Sequence, residues 1–155
     1  MILRYTFCVK RTEALLGLLR LPLDAFAVMA ALLLGYHLRS NNIDLVPNVQ
    51  LLDAATTLPS LEWYIPSFVV PSIGLFIAIA ASIGLYAIRG TIGGWREMGD
   101  VLTAALLWLV FVIGWYFLVR RQLFYSRILL IHSTVFIAFF VMLVRTAVVL
   151  LQRAM

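Results

Sequence analysis

Apolar residues run through this chain in four long blocks, broken by short polar segments. The first block runs from about Leu21 to Leu38, with a possible start nearer Ala14. The second covers about Ser67 to Ile88, the third about Val101 to Val119, and the fourth about Ile128 to Leu151. A bilayer core needs roughly 20 apolar residues per helix. The pattern therefore predicts an all-α membrane protein, a bundle of four transmembrane helices over about 14–38, 67–88, 101–119 and 128–151. A polar loop over about 40–64 holds Asn41, Asn42, Pro47, Pro59 and the acids Asp44, Asp53 and Glu62. Pro22 is expected in the first turn of the first span, where a missing N–H costs little. Pro71 is expected to kink the start of the second. Residues 1–155 read as one transmembrane domain, with no segment left over for a soluble catalytic domain.

Composition points the same way. Hydrophobic residues make up 64% and charged residues 12% of the chain, and mean hydropathy is +1.04. A soluble domain carries about 25% charged residues. The net charge of +5 would raise nucleic acid as a partner in a soluble protein. Here the basic residues flank the spans, where they meet anionic headgroups, and no basic patch with interleaved aromatics lies outside them. A lipid bilayer is the expected partner and nucleic acid is not. The single cysteine, Cys8, allows no intrachain disulfide and no cysteine metal cluster, and it reads as an inert thiol. Arg4, Lys10, Arg11 and Arg20 precede the first span like a signal n-region, but no small-residue cleavage site closes the apolar run, so it reads as an uncleaved anchor.

Orientation follows from Lys and Arg. With the N-terminus inside, Arg4, Lys10, Arg11, Arg20, Arg89, Arg96, Arg145 and Arg153 lie on the inner side, and Arg39, Arg120, Arg121 and Arg127 on the outer. The excess favours N-in and C-in. Tyr36, Trp63, Tyr64, Trp115 and Tyr116 are then expected at the outer interface, and Tyr86 and Trp95 at the inner one.

Two charges fall inside spans, Asp24 and Arg145. A charge in hydrocarbon is costly and marks a functional hypothesis. Both lie near the inner end, so an ion pair between their helices is one expectation. The others are that Arg145 snorkels to the interface and that Asp24 pairs with Arg20 one turn away. Ala27, Ala31 and Gly35 follow Asp24 on one helical face, and Gly74, Ala78 and Ser82 repeat at the same spacing in the second span. Both stripes suit close helix packing. His37 and His132 are expected near the outer face, and without a third ligand they make no metal site. Gly90, Gly93 and Gly94 read as a turn, since no strand precedes them and no Lys-Ser/Thr follows. No nucleophile motif is present, so no catalytic, cofactor or metal residue is assigned.

Several short patterns resemble the N-terminal membrane region of the large bacterial polyprenyl-phosphate glycosylphosphotransferases. These are Leu21-Pro22-Leu23-Asp24 after the basic start, Gly84-Leu85-Tyr86 closing span two, and Trp95-Arg96-Glu97 leading into span three. Tyr125-Ser126-Arg127 leads into span four, with Arg145 late in that span. The resemblance implies a module anchoring or assembling an enzyme that begins exopolysaccharide or O-antigen synthesis in the bacterial inner membrane. Such enzymes move a phospho-sugar from a nucleotide sugar to undecaprenyl phosphate with magnesium. Their catalytic domain, with its Asp-Glu pair, has no counterpart in these residues. The partners implied are a cytoplasmic catalytic domain, a second copy, and polyprenyl phosphate. The rival expectations are a small stand-alone four-helix transporter and a partner subunit of another membrane protein.

Overall fold

A computed structural model describes residues 2–41, 58–86, 95–120 and 127–154. Those residues are almost entirely helical and contain no strand. Helix α1 spans Ile2–Ser40. Helix α2 spans Leu61–Ser82, α3 opens at Trp95 and runs through Trp115 into the π-turn Tyr116–Arg120, and α4 spans Arg127–Ala154. Each contains a stretch long and apolar enough to cross a membrane: Leu19–Ser40, Leu61–Ser82, Arg96–Val119 and Leu129–Leu150. The chain is a multi-pass membrane protein of all-α class.

Several boundaries differ from the expectation, each for a local reason. Helix α1 begins well before residue 14, so Pro22 lies in its interior rather than its first turn. Its missing N–H leaves the carbonyl one turn earlier without its usual partner. Helix α2 starts and ends about one and a half turns earlier than the apolar run suggested. Pro66 and Pro71 are absorbed by a π-turn over Ile65–Val69, in which the Val70 N–H reaches back to the Ile65 carbonyl. The wider turn keeps the backbone bonded where the prolines withhold a donor.

The end of α2 is set by Gly84, at φ +78°. The Leu85 N–H donates to the Ala80 carbonyl at 2.9 Å and the Gly84 N–H to Ala81 at 3.0 Å. This pairing of a left-handed glycine with two backward bonds is a Schellman motif. It stops the helix although Leu85, Tyr86 and Ala87 remain apolar. Helix α3 begins six residues before the expected Val101, which brings Glu97 into the bundle.

The helices form a ring in which α1 packs on α4, α4 on α3, α3 on α2 and α2 on α1. Each turns one stripe inward: Asp24, Ala27, Val28, Ala31 and Leu32 from α1, and Glu97, Val101, Ala104, Ala105, Trp108 and Val112 from α3. The outer faces carry Phe26, Phe111, Phe117, Leu118 and Phe139, all exposed. A surface this apolar belongs against lipid tails.

The end of the bundle away from Asp24 is closed by aromatics. The Tyr36 hydroxyl donates to the Pro59 carbonyl at 2.7 Å. The Tyr36 ring lies 4.7 Å from Tyr64, Tyr64 lies 5.3 Å from Phe68, and Phe68 stands 6.3 Å from both Trp108 and Tyr116. Trp63 and Trp115 are exposed, as expected of interfacial residues, but Tyr64 is buried in the core of this cluster.

Candidate functional site: a buried ionic node

Four segments distant in sequence meet at the other end of the bundle. Asp24 lies near the start of the α1 span, Leu85 and Tyr86 in the turn after α2, Glu97 in the first turns of α3, and Arg145 late in α4. Asp24 is 0%, Arg145 4% and Glu97 9% exposed. The Arg145 guanidinium joins them. Its Nη2 donates to Asp24 Oδ2 at 2.5 Å, and its Nη1 donates to Glu97 Oε1 at 3.0 Å and to the Leu85 carbonyl at 3.4 Å. Its central carbon sits 5.5 Å from the centre of the Tyr86 ring, within cation–π range.

The fork of arginine explains this arrangement. A guanidinium presents several donors in fixed directions, so one side chain can hold two carboxylates and a carbonyl at once. Arg20, one turn before Asp24, turns to Glu97 at 3.9 Å rather than to Asp24. Two arginines and two acids therefore make the node neutral. Arg145 does not snorkel outward: both acids and the Leu85 carbonyl lie inside the bundle, and it follows them. Burial, then the charge of Asp24, pushes the Tyr86 phenol above its ordinary range, so it stays protonated at neutral pH. The Tyr86 hydroxyl lies beside Asp24 and Arg145 and feels both charges.

Energetically the node acts through register more than through net strength. Desolvating charges offsets much of their attraction, while removing one partner of a buried pair costs about 3–5 kcal/mol. An arrangement of helices that separated Arg145 from its acids would carry that penalty in hydrocarbon. The node thus selects which helix ends meet.

The small stripe of α1 packs as expected. Ala27 and Ala31 are buried, and a Cβ placed on Gly35 would stand 3.0 Å from Ser133 Oγ of α4. Among the described residues the stripe of α2 packs against no other helix. Gly74, Ala78 and Ser82 all lie on the outer face, and nothing stands within 4 Å of a Cβ on Gly74. The inward face of α2 is instead its bulkier side, Phe68, Val69, Phe76 and Ile79, which fills the space between α1 and α3.

Thr134 and Ala138 of α4 are buried, and the Thr134 hydroxyl donates to the Leu130 carbonyl at 2.8 Å. His37 is exposed and bonded to Asn41, while His132 lies 6.3 Å from the Phe136 ring. Among the described residues no three of His, Cys, Asp and Glu gather as a metal site. Tyr125 and Ser126 and the glycines Gly90, Gly93 and Gly94 lie outside the described residues; Arg127 opens α4.

Glu97 is the member that the sequence pattern did not single out as a charge in a span. Its signal was present: it precedes Val101, Ala104, Ala105 and Trp108 at helical spacing, on the stripe that proves to be buried. No known protein family, no curated protein and no solved structure matches this chain.

Proposed function

We propose that this chain is the membrane-anchoring and assembly module of a polyprenyl-phosphate glycosylphosphotransferase-like protein of a bacterial inner membrane, oriented N-in and C-in. One observation carries the reading. Three of the four patterns on which the resemblance rests, Leu21–Asp24, Gly84–Tyr86 and Trp95–Glu97, supply the members of the node together with the late Arg145; the fourth, Tyr125-Ser126-Arg127, is not among them. Motifs that are weak one by one gain weight when they share one contact. In this reading the node fixes the inner ends of all four helices and so sets a rigid platform at the membrane surface. Phosphoryl transfer, with its magnesium and Asp-Glu pair, belongs to a cytoplasmic catalytic domain; polyprenyl phosphate and a second copy are the remaining partners.

Reading the gene beyond codon 155 tests this directly. A frame that continues into a Rossmann-like segment and a domain with an Asp-Glu pair supports the anchor. A stop codon there, with no such domain encoded alongside, sinks it.

The buried Asp24 also favours a second reading, a small transporter using that carboxylate as a carrier site. Asp24→Asn separates the two. Loss of transport in a stably folded variant indicates a carrier, whereas an anchor loses only stability. Against the carrier stands the pairing of the node, in which each acid is already held by an arginine.

A further inference from the structure

Two guanidinium groups converge on one carboxylate oxygen. Glu97 Oε1 accepts from Arg145 Nη1 at 3.0 Å and lies 3.9 Å from Nη1 of Arg20. The first distance is a hydrogen bond and the second is not. Glu97 is therefore bonded to α4, while a second cation, on α1, stands about one ångström beyond the reach of a charged hydrogen bond.

The members of the node are not held equally. Asp24 and Arg145 are bonded to each other and almost fully buried, and both lie well inside continuous helices. Glu97 is the third residue of α3, among the first four whose N–H groups have no carbonyl partner within the helix. Displacing that end of α3 therefore breaks few backbone bonds. Glu97 and Arg20 are also the more exposed side chains of the node, at 12% and 21%. As observed, Arg145 serves both acids. Passing Glu97 to Arg20 would make two separate neutral pairs, Asp24–Arg145 and Glu97–Arg20. Neither arrangement leaves a buried charge without its counter-charge, which is the costly condition.

We propose that Glu97 is a two-position switch, which exchanges its carboxylate between Arg145 of α4 and Arg20 of α1 while Asp24 and Arg145 stay joined. Arg145 keeps Asp24 through Nη2 and the Leu85 carbonyl through Nη1 in both positions. The exchange moves the node end of α3 away from α4 and toward α1. It leaves the contact between α1 and α4, the most extensive in the bundle, as it is. The node is then a firm joint between two helices and an adjustable seat for a third. The switch rests on the distances within the node and holds whether or not the transferase reading does.

19F NMR on the full chain in lipid nanodiscs tests this. Met98, next to Glu97, is exposed, so Met98→Cys on a Cys8→Ser background carries a single trifluoromethyl tag at the moving end. With the node itself unaltered, saturation transfer should reveal a minor state of about 0.1–10%, the range expected of a two-state element. Arg20→Gln removes the second seat and leaves Arg145 with both acids. It should lower the minor population at least tenfold and leave the major resonance in place. The same tag at Ser60→Cys, an exposed position at the far end of the bundle, should not respond to Arg20→Gln. Absence of a minor state with the node unaltered overturns the switch, and that result needs no substitution in the node. A minor state that survives Arg20→Gln at its original population overturns the role of Arg20 as the second seat. A response of equal size at both tags overturns it too, because Arg20 would then act on the bundle as a whole.

Discussion

Arg145 is the residue whose loss leaves most behind. Arg145→Met strands Asp24 and Glu97 in the bundle with a single guanidinium, Arg20, 3.9 Å from Glu97, to answer them. The expected cost is about 3–5 kcal/mol, read from reversible unfolding in bicelles. Arg145→Lys should recover only part of this, because an ammonium lacks the planar fork that spans two carboxylates and the Leu85 carbonyl. Full recovery by lysine would show that charge alone, and not direction, holds the node. Much of this site was legible beforehand. Asp24 and Arg145 stood out because each interrupts an apolar run, and equal depth made an ion pair between them one of three expectations, beside snorkelling of Arg145 and pairing of Asp24 with Arg20. Glu97 did not, because it falls in the segment from Arg89 to Asp100, which reads as a turn before the third span. What hid it was the assumption that charges end a helix. A charge with a buried partner of opposite sign extends one instead.

Helix packing rests on two glycines with opposite surroundings and on a third that ends a helix. Gly35 lets α1 approach α4, with Ser133 Oγ 3.0 Å from its Cβ position. Gly35→Leu should therefore cost about 1–3 kcal/mol through overpacking. Gly74→Leu projects into open space and should fall within about 0.5 kcal/mol of the native protein. A large loss at Gly74 in the same unfolding assay would mean that the outer stripe of α2 meets another helix. Gly84→Ala forces a side chain into the left-handed region at a cost of about 1–2 kcal/mol. It also displaces the Leu85 carbonyl from Arg145. That four helices exist was legible from hydropathy alone. Their ends were not, because apolar residues continue past Gly84 and polar ones begin before Val101. Local backbone chemistry, a positive φ and a π-turn around two prolines, decides those boundaries. Which stripe of α2 turns inward was hidden for a related reason. In lipid, small residues and large ones are both acceptable on either face, so only the shape of the neighbouring helices chooses.

For the whole molecule, the distribution of charge predicts which end faces the cytoplasm. By connectivity, the end bearing the node also carries the start of α1, the segment between α2 and α3, and the end of α4. In sequence these hold eight basic residues against Glu13, Asp24, Glu97 and Asp100, while the far end holds four basic residues against Asp44, Asp53 and Glu62. Four of the five net positive charges thus belong to the node end. Within the node, Arg20 and Arg145 are neutralised by Glu97 and Asp24, so the excess rests on the flanking residues, Arg96 and the basic start of α1 among them. Flanking positive charge resists translocation, which predicts the node end inside. The chain suits a labelling test because its only cysteine, Cys8, can be removed as Cys8→Ser. On that background, Ser60→Cys and Asp100→Cys place single thiols at exposed positions at opposite ends. A membrane-impermeant maleimide added to intact cells should modify the cysteine at 60 and reach the one at 100 only after permeabilisation. The reverse pattern would put the start of α1 outside and remove the platform on which a cytoplasmic domain could dock. Equal labelling of both before permeabilisation would mean two orientations coexist. That outcome would show that the three arginines between α3 and α4, Arg120, Arg121 and Arg127, compete with the basic start of α1 on nearly equal terms.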